Sequence, residues 1–379
     1  MRVLGIESTC DETACAIVDD GVYVRSNVIA SQAEIHAVYR GVVPEIAARA
    51  HIENLLPTIQ QALDVAGCKL KDVDAIAVAH RPGLIGSLLV GVTAAKALAW
   101  SLGKPLVGVD HVHAHLYSVR LSPSPGTPGE GRGEGLQSAI SDLQSQISDG
   151  PHPNPLPAYR ERGPEFPSIG FVCSGGHTAL YAIKSWTDVR LLGKTIDDAV
   201  GEAYDKASAI LGLGYPGGPI LDAMAARGNP KAVRFPRSKL GKDDRGRPSL
   251  DFSFSGLKTA VLYNVRGYQG KERSPNALSD AQKDDVAASF QQACIDVILG
   301  KLREAIDRIG ARSVIVGGGV SANRGLRAAL GSLSVRAFVP AMDYCTDNAA
   351  MIAGLGHVLI EAGVKTDLDL DAVTMSSIV

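Results

Sequence analysis

One structural pattern occurs twice in this chain, and that constrains its fold more than any other feature. Val3-Leu-Gly-Ile-Glu-Ser-Thr-Cys-Asp-Glu-Thr13, continuing into Ala14-Cys-Ala-Ile-Val18, is an apolar run, a tight turn of small polar residues and a second apolar run. Ser168-Ile-Gly-Phe-Val-Cys-Ser-Gly-Gly-His-Thr178, continuing into Ala179-Leu-Tyr-Ala-Ile183, repeats it. Each copy predicts a strand, a turn and a strand. The parallel continues downstream. A strand at 73–79, a loop with Gly83, Gly86 and Gly91, a helix to about Trp100 and a strand at 106–109 form one set. A strand at 314–316, Gly317-Gly-Gly319, a helix to about Leu330 and a strand at 335–339 form the other. A β-hairpin plus a β-loop-α-β unit, used twice, predicts two similar α/β lobes facing each other across a cleft.

With 379 residues each lobe is long enough for its own core. A net charge of −2 gives no global attraction to nucleic acid, so such a partner needs a local basic patch. The six cysteines (10, 15, 68, 173, 294 and 345) contain no C-x-x-C pair, which predicts a reduced interior rather than a disulfide framework. A strand begins almost at the first residue, without a charged leader and apolar run, so no secretory signal is expected. The most apolar stretch, Leu84 to Trp100, is interrupted by Ser87, Thr93 and Lys96 and suits a buried helix better than a membrane span. These features predict a soluble, cytoplasmic protein with no membrane partner.

The organisation expected is a first lobe over 1–121, an insertion over 122–167 and a second lobe over 168–345, with a helical segment over 346–379 returning to the first lobe. The insertion carries nine of the twenty prolines and little apolar periodicity, so it is expected to be mobile. Ser279-x-x-Gln282 is a capping box opening a helix that keeps a 3.6-residue apolar period to Gly310. Thr346 can cap a helix beginning at Asp347.

The sharpest chemical pattern is Asp110-His111-Val-His113-Ala-His115. On a helix, His111 and His115 share a face and can offer two imidazoles to one cation while His113 points elsewhere. No glutamate follows the first histidine, so the general base of an H-E-x-x-H protease is missing. Asp347, at a helix N-terminus, is the candidate anionic ligand. Such a set leaves coordination positions open for substrate. Two further loops suit an anion or a nucleotide: Cys173-Ser-Gly-Gly-His-Thr178, and Gly317-Gly-Gly-Val-Ser-Ala-Asn323 between a strand and a helix. Neither is a Walker A loop. Asp11 and Glu12, in the first turn, suit a base or a metal-bridging role, or simply a polar hairpin tip. Seven basic residues between Lys231 and Arg247 form a candidate RNA-backbone patch or an ordinary basic loop.

Taken in order, these motifs resemble one family, the universal tRNA threonylcarbamoyladenosine transferases. The resemblance rests on Gly5-Ile-Glu-Ser-Thr-Cys-Asp-Glu-Thr13, Pro82-Gly-Leu-Ile-Gly-Ser-Leu-Leu-Val-Gly91, His111-x-x-x-His115 and Ser174-Gly-Gly-His-Thr178. It continues through Asp197-Asp-Ala-Val-Gly-Glu-Ala-Tyr-Asp205, Tyr215-Pro-Gly-Gly-Pro219, Asp251-Phe-Ser-Phe-Ser-Gly-Leu-Lys258, Gly317–Asn323 and Cys345-Thr-Asp-Asn348, covering nearly everything outside 122–167. It implies a duplicated actin-like (actin/Hsp70/sugar kinase) ATPase fold. It also implies transfer of a threonylcarbamoyl group from threonylcarbamoyl-AMP to N6 of the adenosine flanking the anticodon of tRNA, with release of AMP. One divalent metal per subunit, Fe(2+) ahead of Zn(2+), would be held by His111, His115 and Asp347. The adenylate would contact Val172, Cys173, Ser174, Gly175, Gly176, Asp205, Gly218, Asp222 and Asn323. Implied partners are a smaller metal-free paralogous subunit and a P-loop ATPase.

Three residues depart from the family pattern. Arg81 stands where glycine is usual, His113 where bacterial relatives often carry an acid, and Cys173 where an aliphatic residue is usual. Two enzymatic readings compete, a small-molecule kinase of the same fold and a metalloprotease; a non-enzymatic scaffold is the third.

Overall fold

Two sheets of the same design carry the two halves of the chain. The first is built from β1 (Arg2–Glu7), β2 (Glu12–Asp19), β3 (Tyr23–Ser31), β4 (Ala75–Arg81), β5 (Leu106–Asp110) and the short β6 (Ser122–Pro123). The second contains β7 (Ser168–Cys173), β8 (Thr178–Ser185), β9 (Asp188–Lys194), β10 (Ser313–Gly317) and β11 (Arg336–Phe338). Their strand orders are β5-β4-β1-β2-β3-β6 and β11-β10-β7-β8-β9. In each, three strands form an antiparallel meander while the first, fourth and fifth run parallel. The computed structural model describes residues 1–39, 41–123, 163–242, 246–267, 278–364 and 366–376.

The hairpins read from the sequence each have a third strand, β3 and β9. Both strands are half exposed and interspersed with polar residues, which blurs their period-2 signal. Most of the 122–167 segment lies outside the described residues. Its first two residues pair with β3, and Phe166 near its end packs edge-on against Trp186.

Alternation along the inner strands assigns their faces. Leu4, Ile6, Cys15, Ile17, Ile76 and Val78 point toward the helices Pro44–Ala66 and Ile85–Leu102. Val3, Ala14, Ala16, Ala75, Ala77 and Ala79 point the other way, toward the helix Ala349–Glu361. The second face is lined by small side chains, so that helix comes very close. A Cβ on Gly5 would strike the Ala349 carbonyl, and one on Gly356 would lie 2.5 Å from the Ala77 Cβ. The helix Ile85–Leu102 is long and apolar enough to cross a membrane by length and composition, with a mean hydropathy of 1.5. It packs on the first sheet through Val92, Ala95 and Ala99.

The long helix Asp280–Ile309 begins and ends as its sequence predicts. Ser279 accepts from the Gln282 amide at 3.3 Å, Gln282 accepts from the Ser279 amide at 2.9 Å, and Gly310 closes the helix at φ 65°. The last helix does not follow its prediction. It starts at Ala349 rather than Asp347, and its cap is Asn348 rather than Thr346. Asn348 Oδ1 accepts from the Met351 amide at 3.0 Å, and its Nδ2 donates to the Thr346 carbonyl at 2.8 Å. An asparagine in extended backbone outcompetes the threonine two residues earlier. Asp347 is thereby left outside the helix, with its carboxylate turned toward the histidines.

Candidate metal centre between the lobes

The short helix His111–Tyr117 is wedged between the lobes, with every residue buried. Asp110, the last residue of β5, starts it by accepting from the Val112 and His113 amides at 3.0 and 3.2 Å. On one side Val112 and Leu116 pack against Val172, Ile183 and Ile315 of the second sheet. On the other, the Tyr117 hydroxyl donates to the Gly21 carbonyl at 3.1 Å. The C-terminal segment reaches the same place, where Ser376 Oγ donates to Asp110 Oδ2 at 2.7 Å.

This helix brings His111 and His115 together, their rings edge to face at 4.6 Å. Asp347 Oδ1 lies 3.5 Å from His111 Nε2 and 3.1 Å from His115 Nε2. Ligand atoms of all three residues fall within 4.8 Å of one another, the one such group among the described residues. His115 is fully buried, yet among the described residues neither of its ring nitrogens makes a well-formed hydrogen bond, Nε2 having only the approach of Asp347. A buried imidazole normally has a partner. Three donor atoms converging on one point, with no well-formed hydrogen bond among the described residues at His115, fit a divalent cation with two nitrogen ligands and one oxygen ligand.

The electrostatics agree with that fit. Burial works against ionisation of Asp347, but the imidazoles of His111, His115 and His177 hold its carboxyl well below the usual range. Burial lowers His115, its approach to Asp347 only partly compensating. His111 resists burial because Glu7 and Asp347 push it up to about 9. Without a cation, His111 therefore carries both ring protons at neutral pH. Ligation through Nε2 must expel one, so cation and proton compete. Zinc affinity of the apo-protein is expected to rise about tenfold per pH unit from pH 7 toward 9 and then to level off. Calorimetry in buffers of different ionisation enthalpy should register one proton released; an affinity flat over that range would contradict the assignment.

Glu12 heads β2, and its pKa is raised well above the carboxylate range by burial and by Asp347 and Asp11. His113 is apart from the three ligand atoms, with burial lowering it to about 4. Arg81 ends β4 with its Nε 3.6 Å from Asp110 Oδ2, so this departure from the family pattern faces the cap of the ligand helix.

The adenylate candidates lie at the ends of the second sheet and on its helices. Val172 and Cys173 finish β7, where Cys173 Sγ donates to the Gly317 carbonyl at 3.4 Å. In the turn that follows, a Cβ on Gly175 or Gly176 would meet nothing within 4 Å, and the same holds for Gly218. Asp205 accepts from the Gly217 amide at 2.7 Å and so holds the Tyr215–Pro219 turn. Asp222 pairs with Arg324 at 2.9 Å and accepts from Gln291 Nε2 at 3.3 Å. Asn323 caps the helix Arg324–Leu330 through Oδ1 and donates to Gln291 Oε1 at 2.7 Å.

Sequence reading passed over Gln291, which joins Asp222, Asn323 and Tyr204; its signal was a lone amide on the apolar stripe of a long helix. His177 was likewise passed over as an individual residue. Burial, then His111 and His115, lower it to about 4. In the basic segment, Lys231, Arg234, Lys239 and Lys242 are exposed, whereas Arg237 is engaged by Asp296 at 2.7 Å. Arg245 lies outside the described residues.

Repeated lobes joined through a buried helix that carries two candidate cation ligands define an actin-like protein with a candidate metal site at its interlobe crossover. The solved structure of T. kodakarensis HypF shares this fold, with a TM-score of 0.52 at 14% identity over 95% of this chain and 48% of that one. The sequence profile of tRNA N6-adenosine threonylcarbamoyltransferase (TsaD) matches residues 23–130 and 156–354. The enzyme of that name from Symbiobacterium thermophilum is 44% identical over 375 residues, 98% of this chain and 95% of its own length. Its counterpart from Moorella thermoacetica is 45% identical over 355 residues, 93% of this chain and 90% of its own. The chain belongs to the tRNA N6-adenosine threonylcarbamoyltransferase family.

Proposed function

We propose that this chain is an acyltransferase that moves a threonylcarbamoyl group from threonylcarbamoyl-AMP to N6 of the adenosine flanking the anticodon, in tRNAs reading codons that begin with A. The observation that carries the mechanism is the convergence of the buried His111 and His115 with Asp347, no well-formed hydrogen bond occupying His115 among the described residues. Family membership supports the tRNA substrate and disfavours the kinase and protease readings.

His111, His115 and Asp347 would hold one divalent cation, iron(II) in preference to zinc. Bound there, the cation would supply Lewis-acid polarisation of the acyl carbonyl or neutralisation of the departing phosphate. Val172 to Gly176, Asp205, Gly218, Asp222 and Asn323 bind the adenylate. The bare glycines of the Ser174–Gly176 turn let backbone approach phosphate oxygens closely. The N6 amine attacks the carbamoyl carbon. As that C–N bond forms, the bond from the carbon to the phosphate oxygen breaks and AMP leaves with the electron pair. The amine's proton passes to Glu12, with Asp11 the alternative acceptor. Lys231, Arg234, Lys239 and Lys242 hold the tRNA backbone.

The two lobes, 1–121 with 346–379 and 168–345, face each other across the substrate cleft, and the protein works in the cytoplasm. Ile52, Leu56, Leu89 and Trp100 stand exposed on adjacent helices, which supports apolar contact with the smaller metal-free paralogous subunit. A P-loop ATPase is the third component.

The test supplies threonylcarbamoyl-AMP and unmodified transcript tRNA to the protein with its partners. Nucleoside mass spectrometry should find the modified adenosine; its absence from the metal-loaded complex would overturn the reading. Glu12→Gln should slow single-turnover transfer by ~10²–10⁴-fold with tRNA binding unchanged. Transfer at the parent rate would remove Glu12 from the base role and turn attention to Asp11→Asn.

A further inference from the structure

The two histidines of the centre are held differently. Among the described residues His115 Nδ1 has no hydrogen-bond partner, whereas His111 Nδ1 lies 2.8 Å from Glu7 Oε2 and 3.3 Å from Thr9 Oγ1. Glu7 is the last residue of β1 and only 1% exposed, a carboxyl closing the apolar run from Val3 to Ile6. Its other oxygen accepts from the Thr9 amide at 2.6 Å, so the carboxylate cannot swing away. A carboxylate only accepts, and therefore the proton between the two groups sits on His111 Nδ1. Nε2, 3.5 Å from Asp347, is then the nitrogen that gives up its proton and offers a lone pair to a cation.

We infer that Glu7 is a positioning residue of the centre, fixing His111 with its proton on Nδ1 so that Nε2 is the nitrogen presented to a cation. The inference rests on the reading of His111, His115 and Asp347 as a cation site. A histidine ligand whose other nitrogen donates to a carboxylate is held in orientation and becomes a stronger donor. In this centre Glu7 gives His111 that support, and none of the described residues gives it to His115. The turn Ser8–Asp11 thereby contributes to the centre without supplying a ligand.

Glu7→Gln tests this because glutamine cannot satisfy both neighbours. If its oxygen keeps the Thr9 amide, its NH2 faces His111 Nδ1 and drives the ring proton to Nε2. If its oxygen keeps His111, its NH2 opposes the Thr9 amide. Zinc affinity, measured by chelator competition at a pH above 9 where no proton competes at His111 in either protein, should fall by ~10–100-fold. Long-range 15N NMR of zinc-loaded parent protein should show His111 ligated through Nε2 with Nδ1 protonated. That measurement stands even if the variant fails to fold. Parent-like zinc affinity in a folded Glu7→Gln, or ligation of His111 through Nδ1, would overturn the inference while leaving the cation site intact. Parent protein that binds no zinc at these histidines would instead defeat the underlying reading. Metal-free protein at pH above 9 would then still report whether His111 keeps its Nδ1 proton, which decides the Glu7 contact on its own.

Discussion

His115→Ala protein should fold, lose its stoichiometric cation and yield no more modified adenosine than a reaction without enzyme. His115 is fully buried, and its truncation takes one of two imidazole neighbours from Asp347, which is a quarter exposed and keeps His111 at 3.5 Å. The cost to the metal-free fold is that of a cavity, about 2 kcal/mol or more. His111→Ala should also abolish metal and product, with a different effect on stability. It removes the partner of a carboxylate that is only 1% exposed, and breaking such a buried pair costs about 3–5 kcal/mol. Metal-free thermal midpoints should therefore fall in the order parent, His115→Ala, His111→Ala. Metal analysis beside nucleoside mass spectrometry completes the test. A His115→Ala protein that keeps one tightly held cation would show the ligand set to be wrong. One that loses the cation and still transfers at the parent rate would remove the cation from the chemistry.

The duplicated topology was legible because inner strands buried on both faces give continuous apolar runs, and because glycine punctuates the same places in both halves. The outer strands β3 and β9 were harder to read, since exposure on one side admits polar residues that break the alternation. The histidine pair could be read from helical geometry alone. Asp347 was reached through an incorrect premise: it does not start the last helix, and Asn348 does the capping. What sequence could not supply was the company each ligand keeps. Glu7 and His111 are 104 residues apart, and only the parallel pairing of β1, β4 and β5 brings them within hydrogen-bonding distance. The same applies to Gln291, whose neighbours Asp222 and Asn323 come from separate helices.

Gly317→Val should destabilise the protein and weaken its cation site together, although Gly317 is no ligand. A side chain built on Gly317, at the end of β10, would drive into the carbonyl and backbone carbon of His115. That carbonyl already accepts from Ser118 Oγ at 2.6 Å, and its helix is packed between the second sheet and the helix Ala349–Glu361. No rotamer change relieves a clash with backbone, so the two lobes must separate or the ligand helix must shift. Overpacking of this kind costs about 3 kcal/mol. A displaced His115 would also no longer meet His111 and Asp347 at one point. Gly175→Ala is the control, since its Cβ would meet nothing within 4 Å. That variant should keep the parental melting temperature and zinc affinity, and any defect should appear in adenylate binding. The contrast is read by thermal melting and zinc competition on both proteins. If Gly317→Val matched the parent in both, the His111–Tyr117 helix would not be clamped by the second sheet, and the centre could not owe its geometry to the meeting of the lobes.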